Sequence, residues 1–298
     1  MQLHDLLGRL ELVDAADRVG IVLNSLPAQA PEDWRQLAAA LAVRHQDRSL
    51  AGGTVLGVSG GQGAGKTTLS VLLERALASV GFRAVSLSLD DFYLTRAERQ
   101  HLGRQVHPLL ATRGVPGTHD VALAAGVLAE LQAGRGCRCP RFDKAADDRL
   151  PASGDLVIEA GVDVVIFEGW CVGAPPQPAA DLTTPCNTLE AREDPAGDWR
   201  RFVNQRLAGD YAPLWGRLDE LLYLKVPDIA AVVRWRTEQE QQLAADQRMQ
   251  PAALERFVAH YERLTLWMAQ VLPERAQLVG FLDENHRLAD LLANQDPG

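Results

Sequence analysis

From Thr54 onwards, short apolar runs alternate with amphipathic stretches. The runs are rich in β-branched residues and are bounded by glycine, proline or acidic residues: TVLGVS, RAVSLSLDD, VDVVIFEGW, ELLYLKVP and AQLVGFLD. Helical stretches separate them, the first being TTLSVLLERALASV. Buried parallel strands joined by crossover helices have this pattern. The sequence therefore predicts an α/β fold in which a mostly parallel sheet has helices on both faces.

Residues 1–50 have a different pattern, with apolar residues three and four positions apart. HDLLGRLELVDAADRVGIVLNSL and APEDWRQLAAALAVRHQDR both predict helices. In the second, Pro31 followed by Glu32 and Asp33 marks the start of the helix. We expect an N-terminal helical extension over residues 1–50 that packs on a main domain over residues 51–298.

Three irregular segments interrupt the alternation. RQVHPLLATRGVPGTHD and PRFDKAADDRLPASGD are rich in arginine, histidine, aspartate, proline and glycine. Long loops inside a compact domain are usually functional or disordered, and these two are too varied in composition to be plain linkers. The third, CVGAPPQPAADLTTPCNTLEAREDPAGD, is rich in proline and is more typical of a linker.

Composition narrows the class of protein. The chain has 298 residues, of which 47% are hydrophobic, and a formal net charge of −9. That charge argues against nucleic acid as the main partner, and no apolar run reaches the roughly 18 residues that span a bilayer. The N-terminal stretch lacks the apolar core of a signal peptide. The four cysteines suit neither a disulfide framework nor a zinc site. We expect free thiols in a cytoplasmic protein, either a monomer or a small homo-oligomer.

The segment GVSGGQGAGKTT matches the phosphate-binding pattern G-x-x-x-x-G-K-[ST]. Backbone N–H groups of such a loop cradle phosphates, Lys66 adds a charge at the terminal phosphates, and the Thr67 hydroxyl binds Mg²⁺. The positive N-terminal end of the next helix faces the same place. The loop residues that we expect to bind the nucleotide are Gly60, Gly61, Gln62, Gly63, Ala64, Gly65, Lys66, Thr67 and Thr68.

Acidic residues end two further strands. Asp90 and Asp91 follow the second run, and Glu168 ends the third. Ligands of such sheets bind at the carboxyl ends of the strands, so these carboxylates are expected beside the glycine loop. A carboxylate at the end of a buried strand needs a cation or a donor. Glu168 is therefore predicted to bind Mg²⁺ or the phosphate site, with a salt bridge to an arginine as the alternative.

The segment SLSLDDFYLT resembles the strand-then-aspartate motif of the P-loop kinases related to uridine kinase, pantothenate kinase and phosphoribulokinase. Six segments are similar to the D-glycerate 3-kinase group of that superfamily: DDFYLTRAERQ, HPLLATRGVPGTHD, PRFDKAADDR, FEGWCVGA, WRRFVNQRL and VVRWRTEQE. The resemblance covers about residues 54–285. It implies an ATP- and Mg²⁺-dependent kinase that phosphorylates a hydroxyl of D-glycerate to 3-phosphoglycerate. A nucleoside, pantothenate or another polyol acid as acceptor remains open, as does a nucleotide-binding regulator without turnover.

The resemblance also implies roles for individual residues. Asp90 stands where the family has its general base, and metal binding is its alternative role. Asp91 either caps the following helix or contacts the substrate. A helical lid over about residues 228–250 would bring Arg234 and Arg236 to the transferring phosphate, together with the catalytic Lys66 and Glu168. The alternative for the lid is a solvated helix face, since Arg236 precedes Glu240 by four residues.

A small hydroxy acid needs a cationic clamp for its carboxylate and polar contacts for its hydroxyls. The two irregular segments supply several arginines and few aromatic residues, which favours an acid over a nucleoside. The residues that we expect to bind this small anionic substrate are Asp91, Tyr93, Arg113, His119, Asp120, Arg141, Phe142, Lys144 and Arg149. For the adenine base we expect Asn285 and His286, in the loop after the last predicted strand; the alternative there is the start of a helix.

Overall fold

A six-stranded sheet forms the centre of the protein. The computed structural model describes residues 1–48, 52–241 and 248–294. Its strands are β1 (Thr54–Gly60), β2 (Ala84–Ser88), β3 (Cys137–Cys139), β4 (Phe142–Asp143), β5 (Asp148–Arg149), β6 (Leu156–Ile158), β7 (Val164–Gly169), β8 (Glu220–Lys225), β9 (Leu278–Leu282) and β10 (Leu288–Ala293). The strand order in the sheet is β10-β9-β8-β1-β7-β2, while β3 pairs with β6 and β4 with β5 in two small ribbons.

The sheet is parallel apart from β10, which pairs antiparallel with β9. The prediction of a mostly parallel sheet is therefore confirmed. β1 is an inner strand, with β7 on one side and β8 on the other. The register places Glu168 of β7 opposite Val58 of β1 on one side and Ser88 of β2 on the other. The carboxyl ends of these three strands therefore meet at one edge. β10 was not predicted.

Helices cover both faces of the sheet, as predicted. They are α1 (Leu3–Arg9), α2 (Ala16–Ser25), α3 (Glu32–Arg48), α4 (Lys66–Ser79), α5 (Arg96–Gln105), α6 (Val121–Gln132), α7 (Thr188–Glu193), α8 (Asp198–Arg206), α9 (Ala212–Trp215), α10 (Ile229–Gln241) and α11 (Pro251–Val271). Successive residues of a strand point to opposite faces. Thus Ile166 of β7 joins an apolar core with α1–α4, whereas Val165 and Phe167 join a second core with α6 and α11.

The N-terminal helices are part of the main core. Leu37 and Val43 of α3 are fully buried and belong to the same apolar cluster as Leu69 and Leu73 of α4. The first predicted helical stretch is broken into α1 and α2 near Glu11, whose φ of 58° is left-handed. The domain boundary predicted at residues 50 and 51 lies outside the described residues, and the division into an extension and a main domain stays a prediction.

The proline-rich segment after β7 does not behave as a linker. It includes α7, and Arg263 of α11 donates to the carbonyl oxygens of Asp181 (3.0 Å) and Thr184 (2.6 Å) and pairs with Glu190 at 2.6 Å. The linker interpretation is therefore wrong, because these contacts hold the segment against α11. All four cysteines lie in described residues and are free thiols, as predicted. Within the described ranges, no helix has the length and apolar character needed to cross a membrane.

Candidate active site

The glycine loop joins β1 to α4 and is enclosed by two tryptophans. Gly63 and Gly65 have φ values of +78° and +81°, which L side chains rarely adopt. A Cβ at Gly63 would lie 2.9 Å from the Cβ of Trp235 in α10, and one at Gly65 would lie 2.9 Å from the indole ring of Trp34 in α3. Both positions need glycine for backbone shape and for space. The loop is thus held between a helix of the N-terminal extension and a helix of the predicted lid.

Lys66 and Thr67 begin α4 and lie next to Glu168. Lys66 Nζ donates to the carbonyl oxygen of Gly61 at 3.0 Å, inside the loop. Burial lowers the pKa of Lys66, while the charges of Glu168 and Asp90 oppose that shift. The Thr67 hydroxyl donates to Glu168 Oε1 at 3.1 Å, and Glu168 is only 8% exposed. A hydroxyl and a buried carboxylate thus lie together at the mouth of the loop.

Asp90 lies in a 3₁₀ turn directly after β2, and both of its carboxylate oxygens accept hydrogen bonds. Tyr93 OH donates to Oδ1 at 2.9 Å, and Lys144 Nζ donates to Oδ2 at 2.7 Å. Burial raises the pKa of Asp90, but the charge and hydrogen bond of Lys144, with smaller effects of His119 and Tyr93, outweigh it and lower the pKa overall. Burial and the Asp90 charge raise the pKa of Tyr93. Asp90 is therefore an anion held by a neutral phenol and an ammonium.

These residues share a cleft of about 340 Å³, which we call the polar cleft. It is lined by Gln62, Gly63, Lys66, Thr67, Asp90, Tyr93, Arg113, Lys144, Glu168, Trp170, Arg236, Gln239, Phe257 and Tyr261. Two carboxylates and four cations thus face one space, as the sequence predicts for Lys66, Asp90, Glu168, Arg113, Lys144 and Arg236. The cleft is richer in aromatic residues than the sequence indicates, since four of them line it.

A second cleft of about 380 Å³, which we call the aromatic cleft, lies on the other side of the loop. It is lined by Pro31, Trp34, Gly63, Gly65, Lys66, Thr67, Thr68, Trp235, Glu238, Gln239 and His286. The two clefts meet at Gly63, Lys66, Thr67 and Gln239. A ligand seated in the glycine loop can therefore extend into either cleft.

The β4–β5 ribbon carries Lys144 at its turn and is tied down from several sides. Arg113 forms an ion pair with Asp147 and also donates to the Lys144 carbonyl oxygen at 3.3 Å. The fully buried Arg99 donates to the Asp147 carbonyl oxygen at 2.6 Å. The guanidinium of Arg113 lies 5.4 Å from the centre of the Phe142 ring. The ribbon backbone and Arg113 are therefore fixed relative to the cleft.

Several predicted substrate residues are not among the described residues that line the polar cleft, and they brace this ribbon instead. Arg141 pairs with Asp91 at 3.3 Å, and the Asp91 carboxylate accepts from the Phe142 backbone N–H at 3.1 Å. Arg149 pairs with Asp120 at 3.5 Å and donates to the Tyr93 carbonyl oxygen at 2.9 Å. These side chains position the ribbon, and direct contact with a substrate stays a prediction for them.

His119, Asp120 and Phe142 also have structural partners. The Asp120 side chain accepts from the Leu123 N–H at 3.0 Å and caps α6. His119 is buried, its ring is stacked 4.5 Å from that of Tyr93, and its Nδ1 lies 2.7 Å from Tyr211 OH. Burial lowers the pKa of His119 to about 4, so the imidazole is neutral. Phe142 packs edge-on to Tyr93 at 5.2 Å. His119 and Phe142 thus fix the ring of Tyr93, whose hydroxyl holds Asp90.

The structure separates the two arginines of α10. Arg236 lines the polar cleft, pairs with Glu240 at 2.5 Å and lies 5.5 Å from the centre of the Phe257 ring. It thus has both the cleft position and the i,i+4 pair that the sequence left open, but Glu240 is buried, so the pair does not lie on a solvated helix face. Arg234 pairs with Glu284 at 3.5 Å, is half-exposed and, in the described chain, lines neither cleft. The predicted lid includes residues 242–247, which lie outside the described residues.

The two candidates for the adenine base differ in position. His286 stacks on Trp235 with ring centres 4.2 Å apart, and its Nδ1 lies 3.0 Å from the Gly63 carbonyl oxygen. Asn285 is exposed, its backbone N–H donates to Asp283, and it is absent from the described lining of the aromatic cleft. His286 thus lies beside the loop, whereas Asn285 lies in the turn that leads to it.

Residues that sequence reasoning missed come from distant parts of the chain. Tyr261 of α11 donates to the Arg113 carbonyl oxygen at 3.2 Å, and its ring is edge-on to Trp170 at 4.8 Å. Trp34 belongs to the extension that contributed nothing to the resemblance. Each occupies an ordinary apolar position of a helix, so its own segment carries no signal of the cleft. Among the described glycines, Gly114 lies against Tyr261, because a Cβ there would collide with the Tyr261 hydroxyl.

Comparison with known proteins gives consistent matches to kinases, although no protein-family model matches the chain. The uncharacterized kinase mug58 of Schizosaccharomyces pombe is 34% identical over 224 residues, which cover 70% of this chain and 78% of that protein. The chloroplastic D-glycerate 3-kinase of Arabidopsis thaliana is 32% identical over 221 residues, covering 70% of this chain but only 46% of the plant protein. The structure of a D-glycerate 3-kinase from Cryptococcus neoformans matches with a TM-score of 0.70 and 25% identity, covering 94% of this chain and 99% of that one.

Proposed function

The chain belongs to the D-glycerate 3-kinase group of the P-loop kinases, and on that premise we propose that it transfers the γ-phosphoryl group of ATP to a hydroxyl of D-glycerate, giving 3-phosphoglycerate. One observation carries the choice of acceptor. The polar cleft holds the carboxylate of Asp90 together with Arg113 and Lys144, next to the phosphate loop. A hydroxy acid needs a base for its hydroxyl and cations for its carboxylate, and this cleft offers both.

The two clefts divide the ligands by chemistry. With the triphosphate of ATP in the glycine loop, the base extends to one side and the acceptor enters from the other. Trp34 and Trp235 form buried parts of the wall of the aromatic cleft, and the partly exposed His286 ring stacks on Trp235, so a purine there would lie against His286. The charged polar cleft suits a small anion. We therefore assign the base to the aromatic cleft, with His286 rather than Asn285 beside it.

Thr67 and Glu168 are the residues that would hold Mg²⁺. Magnesium binds few protein ligands directly and takes its remaining ligands from phosphates and water. The Thr67 hydroxyl and the buried Glu168 carboxylate fit this, since they are 3.1 Å apart at the loop mouth. Among the described residues no group of three histidine, cysteine, aspartate or glutamate side chains could hold an ion alone. Bound there, Mg²⁺ would neutralise the charge that develops on the phosphates. Asp90, the third metal ligand that the sequence predicts, is assigned to proton transfer instead, and metal binding by this carboxylate stays a prediction.

The remaining residues take roles from their positions. Asp90 accepts the proton of the acceptor hydroxyl, and Tyr93 keeps the carboxylate oriented. Lys66 and Arg236 provide positive charge on the two sides of the transferring phosphoryl group. In a loose phosphoryl-transfer transition state, such positioning and charge neutralisation contribute most of the rate, and the base adds about 10²–10⁴-fold.

A panel of acceptors tests the proposal. ADP release is measured with D-glycerate, glyceramide, glycerol, pantothenate and uridine at equal ATP and Mg²⁺. D-glycerate should give the highest kcat/KM, and glyceramide, which keeps the hydroxyls but lacks the charge, should lose about 10- to 150-fold, the cost of one charge-assisted hydrogen bond. Efficient phosphorylation of uridine with D-glycerate inert would contradict the assignment and favour a nucleoside acceptor.

A further inference from the structure

We propose that Lys144 keeps Asp90 blocked until the carboxylate of the acceptor draws the lysine away, so that the acid group of the substrate switches on the base as well as binding. This inference rests on the proposed function, in which Asp90 is the base for the acceptor hydroxyl. It goes further by making the carboxylate a determinant of turnover. A neutral alcohol that binds equally well would then still react slowly.

The two partners of Asp90 differ in their freedom to move. Tyr93 is 3% exposed, and its ring packs between His119 at 4.5 Å and Phe142 at 5.2 Å. The packing of the ring therefore holds the Tyr93 hydroxyl in place against Asp90. The Lys144 side chain is 64% exposed and reaches Asp90 Oδ2 only through its ammonium, at 2.7 Å. Of the two contacts, only the one with Lys144 can be exchanged without disturbing the core.

The exchange needs no movement of the backbone. Asp147 in the same turn is held by both Arg99 and Arg113, and the Arg96 N–H donates to Asp148 at 2.9 Å. The ribbon that carries Lys144 is therefore anchored, and rotation of a long side chain is sufficient. Exposed side-chain rotamers change within nanoseconds, far faster than turnover.

Lys144 is the cation of the polar cleft that can turn to the acceptor. Arg113 is already paired with Asp147 and Arg236 with Glu240. Lys66 donates to the Gly61 carbonyl oxygen inside the phosphate loop. An acceptor carboxylate near Arg113 would lie within reach of the Lys144 ammonium. The two carboxylates, that of the acceptor and that of Asp90, would then compete for Lys144. Arg113 adds a second attraction that Asp90 does not have.

The chemical consequence is a free oxygen on the base. Once Lys144 turns to the acceptor, Asp90 Oδ2 can accept the hydroxyl proton. The O–H bond of the acceptor breaks as its oxygen forms a bond to the γ-phosphorus, and the bond from that phosphorus to the β-phosphate oxygen breaks to release ADP. With water or a neutral alcohol in the cleft, Lys144 stays on Oδ2 and weakens the base. The contact therefore suppresses wasteful hydrolysis of ATP.

The test compares Lys144→Met with Lys225→Met, a matched loss of one lysine charge. Lys225 lies 5.7 Å from the centre of the Phe281 ring and, in the described chain, lines neither cleft. ATP hydrolysis without acceptor and ATP-dependent phosphorylation of glycerol are measured with and without added acetate. In the wild type and in Lys225→Met, acetate should stimulate both reactions. Lys144→Met should show both rates raised about tenfold and unaffected by acetate, with a raised KM for D-glycerate.

A second variant guards against misfolding and against a purely binding role. Lys144→Arg keeps the charge and should keep the low glycerol rate, whereas unfolding of Lys144→Met would be visible as a lowered Tm. If Lys144→Met only raises the KM for D-glycerate and leaves the glycerol and hydrolysis rates unchanged, Lys144 is a simple ligand and the proposal is overturned. Inert D-glycerate in the wild type would instead refute the proposed substrate, and the hydrolysis rates would still decide the role of Lys144.

Discussion

Replacing Asp90 by asparagine removes the proposed base while keeping its shape. The amide retains an oxygen for the Tyr93 hydroxyl, which lies 2.9 Å from Oδ1, so the local turn should persist. On the other side an amide NH₂ would face the Lys144 ammonium, donor against donor, and that contact would be lost. The amide cannot accept the proton of the acceptor hydroxyl. Because general base catalysis contributes about 10²–10⁴-fold, kcat should fall by that factor. ATP binding should stay within a few-fold, because the nucleotide is held by the loop and the aromatic cleft.

The assay separates chemistry from binding by measuring kcat and KM by ADP release and the ATP Kd by calorimetry. The matched control is Asp91→Asn, the same change one residue along. Asp91 accepts from the Phe142 N–H at 3.1 Å and pairs with Arg141 at 3.3 Å, so the control disturbs the ribbon but leaves the base. Asp90→Asn should lose far more kcat than Asp91→Asn. A loss confined to the KM for ATP in Asp90→Asn would refute the reasoning and make Asp90 a nucleotide or metal residue.

Three further predictions concern the loop, the base pocket and the fold. Lys66→Ala should abolish turnover and leave the far-UV circular dichroism unchanged; near-native turnover would refute the role of the loop. Trp34→Phe, which keeps a ring in the core, should weaken ATP binding several-fold and leave tripolyphosphate binding unchanged, as measured by calorimetry; equal losses for both ligands would mean that Trp34 only supports the loop. Because burial lowers the pKa of His119 to about 4 from 6.5, the stability linked to its neutral form is complete above pH 6.5 and is lost as the pH falls. Urea titrations should show a loss of about 2 kcal/mol between pH 7 and pH 5 that is absent in His119→Gln; an equal loss in the variant would assign it to other groups.

The sheet and the phosphate loop are predictable because their signals are local. An apolar run of six or seven residues, a glycine-rich turn and an amphipathic helix follow one another within β1, the loop and α4. The position of Glu168 beside the loop also follows from the sequence, since parallel strands bring their carboxyl ends to one edge. The register of Glu168 against Val58 and Ser88 bears this out. The short antiparallel strand β10 was not predicted, because it is defined by its hydrogen bonds to β9 and not by its own residue pattern.

The sequence does not predict in the same way which individual arginines face the polar cleft. Arg113, Arg141 and Arg149 have similar sequence surroundings, yet only Arg113 lines the polar cleft in the described chain. The other two pair with Asp91 and Asp120 across long sequence separations. Such pairs depend on how the ribbon packs after folding, which composition does not encode. The cytoplasmic location and the oligomeric state also stay predictions. For the location, the Arabidopsis relative differs, since its name places it in the chloroplast.

Identification of the phosphorylated product tests the central claim most directly. The protein is incubated with ATP, Mg²⁺ and D-glycerate, and the products are followed by ³¹P NMR. The account predicts ADP and a single new phosphomonoester, split into a triplet by the two protons of C3, as required for 3-phosphoglycerate. Release of inorganic phosphate alone, or a doublet from phosphorylation at C2, would contradict it.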